Sequence, residues 1–247
     1  MSASKYSKIL IFLFLSSSNL WSMGKPKVGN SSSATTSSSS SSLSSQASSS
    51  SSTSSEGDFS YVDPQHLIPS RPLQIALAYY KANKNNIENI NYLTVVDFTQ
   101  YANNKRFYLI DMRSGQVEQF LVAHGSGSDP SHTGFANFFS NLDGTHATAL
   151  GFYKTGATYT GGHGYSLYLD GLSSTNSNAR AREIVVHGAS YVDPSYNPLG
   201  RSWGCLALEM SERSYVISKI QSGSIIYAYH SKFSKEQWSM RTFNCCG

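Results

Sequence analysis

Residues 91–123 read NYLTVVDFTQYANNKRFYLIDMRSGQVEQFLVA. Three runs in this stretch are dense in β-branched, aromatic and aliphatic residues: Asn91 to Phe98, Arg106 to Asp111 and Gln116 to Ala123. Such residues suit a pleated, half-buried backbone. The second and third runs flank Arg113-Ser114-Gly115 and predict a β-hairpin. Working outward, further strands are expected at Gly151 to Lys154, Tyr165 to Asp170, Glu183 to His187 and Ser224 to His230. A helix is expected over Leu73 to Lys81, capped by Ser70, with Pro72 in its first turn and Leu73, Leu77 and Tyr80 on one face. A second is expected from Ser211 to Gln221, where Val216 and Ile220 sit four apart and Gly223 follows as a stop. The expected fold is therefore mainly β (α+β), with a few peripheral helices. No internal repeat is visible, although the pair His-Gly recurs at His124, His163 and His187.

Upstream of this β-rich part the composition changes. Lys5 and Lys8 precede the apolar run Ile9 to Leu15, and small and polar residues follow from Ser16 to Ser22. That order matches a secretory signal, and the run falls well short of the roughly 20 apolar residues of a membrane span. Serine fills 18 of the 25 positions from Ser31 to Ser55. Such a segment buries too little apolar surface to offset its ordering entropy. Three segments are expected: a signal peptide over 1–23, a serine-rich linker over 24–57, and a catalytic domain over 58–247. The leader implies export.

Lys5, Lys8, Lys25 and Lys27 are the only charged residues before Glu56, so the remaining 15 basic residues balance the 15 acidic ones. A formally neutral domain lacks the basic footprint of a nucleic-acid binder. Three cysteines are too few for a disulfide scaffold. Cys245 and Cys246 are adjacent. Their Cα atoms would lie about 3.8 Å apart, too close for an unstrained bridge. Cys205 reads as a free thiol.

Its surroundings point to chemistry. Cys205 ends the string Gly200-Arg201-Ser202-Trp203-Gly204-Cys205, and His187 stands upstream in Val186-His187-Gly188-Ala189. Alone, each has a plain structural reading: a small buried cysteine, a hydrogen-bonded core histidine. Together they suggest a nucleophile activated by a base, since a free thiol with pKa about 8.5 is mostly protonated at neutral pH. His187, at the end of a Val-Val strand, needs a partner for its second ring nitrogen, and the Gly188 carbonyl would serve. Gly204 removes a side chain where the backbone must approach a substrate carbonyl. The N–H of Cys205, with that of Gly204 or Trp203 as a second donor, could receive an oxyanion. His163 is a rival base; it and Tyr165 are read as lining the cleft. Arg201 is suited to a substrate carboxylate, and Ser202 is placed beside it in the substrate-binding group. A zinc site built from Cys205, His187, His163 and Asp170 has none of the usual ligand spacings. No metal and no cofactor are expected.

The His187-Gly188 and Ser202-Trp203-Gly204-Cys205 strings resemble the signature of the L,D-transpeptidase catalytic domain, the YkuD-type family, and in particular its murein L,D-transpeptidase branch. The resemblance extends over Leu93 to Phe98, Arg106 to Asp111, Val122 to Gly125, Thr158 to Leu167, Ala179 to Tyr191 and Gly200 to Ala207. It implies a β-rich sandwich with the cysteine in a cleft, Cys205 as nucleophile and His187 as proton acceptor and donor. The implied donor is a peptidoglycan stem peptide, and the implied reaction is cross-linking through a thioester by a monomer. Trp203 stands where many members carry histidine or lysine, and Leu206 where near relatives carry proline. Two alternatives remain: an L,D-carboxypeptidase or other cysteine peptidase on the same site, and a non-catalytic envelope-binding module.

Overall fold

A computed structural model describes residues 58–233. The expected leader, the serine-rich linker, Cys245 and Cys246 lie outside the described residues. Among these residues there are nine strands and two α-helices. The expected mainly β architecture is what the structure shows.

The strands are β1 (Tyr92–Asp97), β2 (Phe107–Asp111), β3 (Val117–Phe120), β4 (Val122–Ala123), β5 (Gly151–Gly161), β6 (Gly164–Gly171), β7 (Val185–Gly188), β8 (Leu206–Leu208) and β9 (Ile225–Tyr229). They form one sheet in the order β3-β2-β1-β9-β5-β6-β7-β8-β4. The β1–β9 and β7–β8 pairs are parallel; the other pairs are antiparallel. The expected hairpin is present as β2–β3, with Ile110 opposite Val117. Gly115 turns it at φ +76°, and a Cβ there would strike the Tyr61 carbonyl.

The outermost strands, β3 and β4, are consecutive in the chain and separated only by Leu121. Laid flat, nine strands would hold them roughly 38 Å apart at about 4.8 Å per strand. One residue cannot span that distance, so the sheet must curl until its edges meet. The core agrees. A single cluster takes side chains from all nine strands, among them Val96, Leu109, Phe120, Val122, Tyr153, Leu167, Val186, Leu206 and Ile226. Helix α2 (Arg213–Ile220) contributes Val216, Ile217 and Ile220 to the same cluster.

Helix α1 (Ser70–Asn83) covers the outer face of β1, β2 and β9. There Leu93, Val95, Tyr108, Ile110, Ile225 and Tyr227 meet Ile75, Ala76 and Tyr80. These three strands are thus buried on both sides, which explains why their sequences run apolar without clean alternation. The helix begins earlier than expected. Pro69, not Ser70, is its N-cap, with no side-chain cap, and Leu73 and Leu77 are only partly buried.

Two elements escaped the sequence. The run 116–123 breaks at Leu121 into two strands at opposite edges of the sheet, and the three-residue β8 follows Cys205 directly.

Candidate active site

Strands β7 and β8 place the two key residues. Val186 pairs with Leu206 and His187 with Ala207 in parallel register. One step back along both strands, Cys205 comes level with Val185. Side chains two apart in a strand share a face, so Cys205, Val185 and His187 look the same way. All three line one cavity of about 320 Å³. Arg201, Ser202 and Trp203 enter from the segment before Cys205, His163 from the β5–β6 turn, and Tyr159, Arg182, Glu183 and Tyr191 complete the wall.

His187 is buried, and its Nδ1 lies 3.0 Å from the Gly188 carbonyl. A carbonyl oxygen only accepts, so Nδ1 carries the proton and Nε2 keeps its lone pair. The second-nitrogen partner expected from the sequence is the one observed. Burial lowers the His187 pKa, and the neighbouring His163 and Arg213 push the same way against the Gly188 bond. The His163 ring sits 4.5 Å from the His187 ring, tilted by 34°.

The Cys205 thiol donates to the Glu183 carbonyl at 3.7 Å. Burial raises its pKa, opposed by the Val185 backbone N–H and the Arg182 charge. Burial thus disfavours the charged form of each group.

The loop before Cys205 is fixed from within. Ser202, 3% exposed, donates its hydroxyl to the Cys205 carbonyl at 2.8 Å and receives the Gly204 N–H at 3.1 Å. The Ser202 hydroxyl and the Gly204 N–H are thus bonded within the loop, and Ser202 also lines the cavity. Gly204 is needed for a different reason than expected. At φ +115°, a Cβ there would lie 2.9 Å from the Ala147 carbonyl and 3.0 Å from Ile184 Cδ1.

Tyr165 falls on the same face of β6 as Leu167 and Leu169 and packs partly buried against the central core, outside the cavity wall. Tyr159 on the paired strand β5 lines the cavity instead. Arg201 is at the cavity as expected, with Nη1 bonded to the Asp129 and Pro130 carbonyls. Trp203 is 74% exposed, and its indole stacks on His146 at 4.6 Å and 5°. Asp170, the carboxylate of the zinc alternative, is instead paired with Arg180 at 2.8 Å. Among the described residues no three His, Cys, Asp or Glu side chains converge as metal ligands.

The sequence gave no hint of a buried polar support behind this loop. Arg106 is fully buried; it donates to the Val122 and Gln100 carbonyls and to His124 Nδ1 at 2.8 Å. That bond places the His124 proton on Nε2, 3.5 Å from Asp129 Oδ2. Burial and the Arg106 charge hold the His124 pKa down to about 3, and burial brings Arg106 down to about 9. The His124 carbonyl accepts the Ser202 N–H at 2.9 Å, and the Ser202 carbonyl accepts the Ser126 N–H at 2.7 Å. His124 thus moors the segment that carries Cys205.

Fold and cavity together define a mainly β domain that presents a cysteine and a histidine in one cleft. The model of the L,D-transpeptidase catalytic domain family matches residues 65–229, and the chain belongs to that family. No curated protein matches it. Solved structures with a similar fold include an L,D-transpeptidase from Mycobacterium smegmatis, 14% identical, covering 57% of this chain and 59% of that one, with a TM-score of 0.37. Another is an L,D-transpeptidase from Xylanimonas cellulosilytica, 14% identical, covering 56% and 60%, at 0.36. A third is L,D-transpeptidase 3 from Mycobacterium tuberculosis with a faropenem-derived adduct, 11% identical, covering 57% and 60%, at 0.37. The chain spans about three-fifths of the length of these solved chains.

Proposed function

We propose that this protein is an exported peptidoglycan L,D-transpeptidase in which Cys205 is the nucleophile and His187 the proton carrier. One observation carries the reading. Cys205 and His187 face one cavity from adjoining strands, with His187 Nδ1 bonded to Gly188 so that Nε2 is left to accept a proton. The family match supports the reaction class.

Because burial opposes charge on both groups, proton transfer accompanies attack. A stem-peptide carbonyl enters beside Sγ. His187 Nε2 takes the thiol proton as the C–S bond forms, and the oxyanion is received by the Cys205 N–H. The C–N bond then breaks, and His187 returns the proton to the departing amine, leaving a thioester. An amine of a neighbouring stem attacks that carbonyl and gives a proton to His187. The C–S bond breaks, and His187 reprotonates the sulfur. Water in place of the amine would yield carboxypeptidase products instead. The lysine-led apolar run near the N-terminus supports export to the periplasm or envelope.

Intact-mass spectrometry after incubation with a carbapenem tests the nucleophile. A single adduct is expected on the native chain and none on Cys205→Ala; an adduct retained by that variant would exclude Cys205. Incubation with purified muropeptides tests the acceptor. Cross-linked dimers are expected, whereas trimmed tripeptide as the sole product would make the enzyme a carboxypeptidase.

A further inference from the structure

Arg182 is a charged cavity residue whose chemistry the reading above leaves unused. It lies just before β7 and is partly buried. Its Nη1 donates to the Ser140 carbonyl and its Nη2 to the Ala147 carbonyl, both at 2.7 Å. A guanidinium has five N–H donors, so three are not used by these bonds. Among the described residues no carboxylate lies within ion-pair distance of it. Asp143 and Glu183 line the adjoining walls without reaching it. The result is a cation clamped by two neutral carbonyls, with its positive charge uncompensated.

Its place makes that charge useful. Arg182 and Trp203 both line the Cys205 cavity, and both line a second cavity of about 300 Å³ with Asp143, Gly144 and His146. Nη2 would lie 3.3 Å from a Cβ on Gly204, the residue bonded to Cys205. Arg201 is also free of ion pairs, but it is tied to the 129–130 carbonyls and its charge is felt at His124 behind the loop. The Arg182 charge is felt at the thiol.

We propose that Arg182 forms a carboxylate-binding subsite that holds the free α-carboxylate of the amino acid expelled when Cys205 attacks. This deepens the acyl-transfer reading and rests on it. In a peptide, the carboxyl carbon of a C-terminal residue is three bonds from the scissile carbon, about 3–4 Å away by standard backbone dimensions. A carboxylate on Arg182 therefore keeps the preceding carbonyl within the cavity that Cys205 lines. The subsite selects donors that end one residue past the cleaved bond. Longer or capped peptides forfeit a charge-assisted bidentate contact of the kind arginine makes best.

The test compares two donors, a muropeptide ending in a free carboxylate and the same one ending in a carboxamide, by kcat/KM. The native chain should prefer the acid by roughly ten- to hundredfold, the range expected for losing hydrogen bonds to a charged group. Arg182→Gln should bring that ratio close to one, whatever it does to the turnover of both donors together. Arg182→Lys keeps the charge without the two-carbonyl clamp and should retain part of the preference. A clamp with no role in recognition would lower both donors together and leave the ratio intact, and that result would overturn the proposal. A native chain that forms the Cys205 carbapenem adduct but shows no acid preference would overturn it too, and would leave the acyl-transfer reading standing. A native chain that forms no adduct and turns over neither donor would overturn both.

Discussion

A cysteine and a histidine that share one cavity, with burial disfavouring the charged form of each, impose a testable acid–base profile. His187 is shifted downward, so its neutral, proton-accepting form persists to lower pH than in an ordinary histidine. The rate of carbapenem acylation should therefore stay level as pH falls through 7 and decline only below about 6.5, the unperturbed imidazole value. His163 contributes to the shift, so His163→Gln should move the acid limb upward. A limb centred well above 6.5 in the native chain would mean that a different group is titrating. Cys205, His187 and the Gly188 partner were all legible in the sequence, because a short string around each residue encodes its local environment. Arg182, Tyr159 and Tyr191 were not. They reach the cavity only through sheet register and loop packing, and no local pattern separates them from ordinary surface residues. The same holds for Arg106 and Asp129, whose meaning depends on both meeting His124 in the interior.

At the level of elements, legibility followed burial. Runs covered on both faces, such as β1 and β9, announced themselves through density of apolar residues, and the β2–β3 hairpin through its Ser-Gly turn. The break at Leu121 was hidden because β3 and β4 are equally strand-like and differ only in which neighbour they pair with. Strand β5 is longer than its apolar start because Thr155 to Gly161 pairs with β6 through a register shift, a stretch of Thr, Gly and Tyr with weak periodicity. The turn glycine gives the prediction at this scale. Gly115→Ala would place a methyl 2.1 Å from the Tyr61 carbonyl at φ +76°. Alanine at a positive-φ site costs about 1 kcal/mol before any clash. Thermal unfolding should show a clear drop in Tm, with carbapenem acylation of the folded fraction unchanged, since the Gly115 turn sits at the end of β3 remote from Leu121, where the chain passes to the β4–β8 pair. An unchanged Tm would mean that the reversal adopts another geometry.

For the whole molecule, the family match at 65–229 and the described residues 58–233 both exclude the leader and the serine-rich segment. A chain beginning at Gly57 should therefore unfold at the same Tm and acylate at the same rate as the longer one; a large loss in either would assign residues 1–56 a part in the domain. The curled sheet has a further consequence. Its two margins are strands of only four and two residues that meet at Leu121. Exposed strand margins are where extended peptides and misfolded neighbours usually attach by backbone pairing. Here such docking ground is all but removed. Among the described residues an extended peptide finds no long ladder to join and must be gripped by its charged ends and side groups, and a misfolded neighbour finds little on which to seed aggregation.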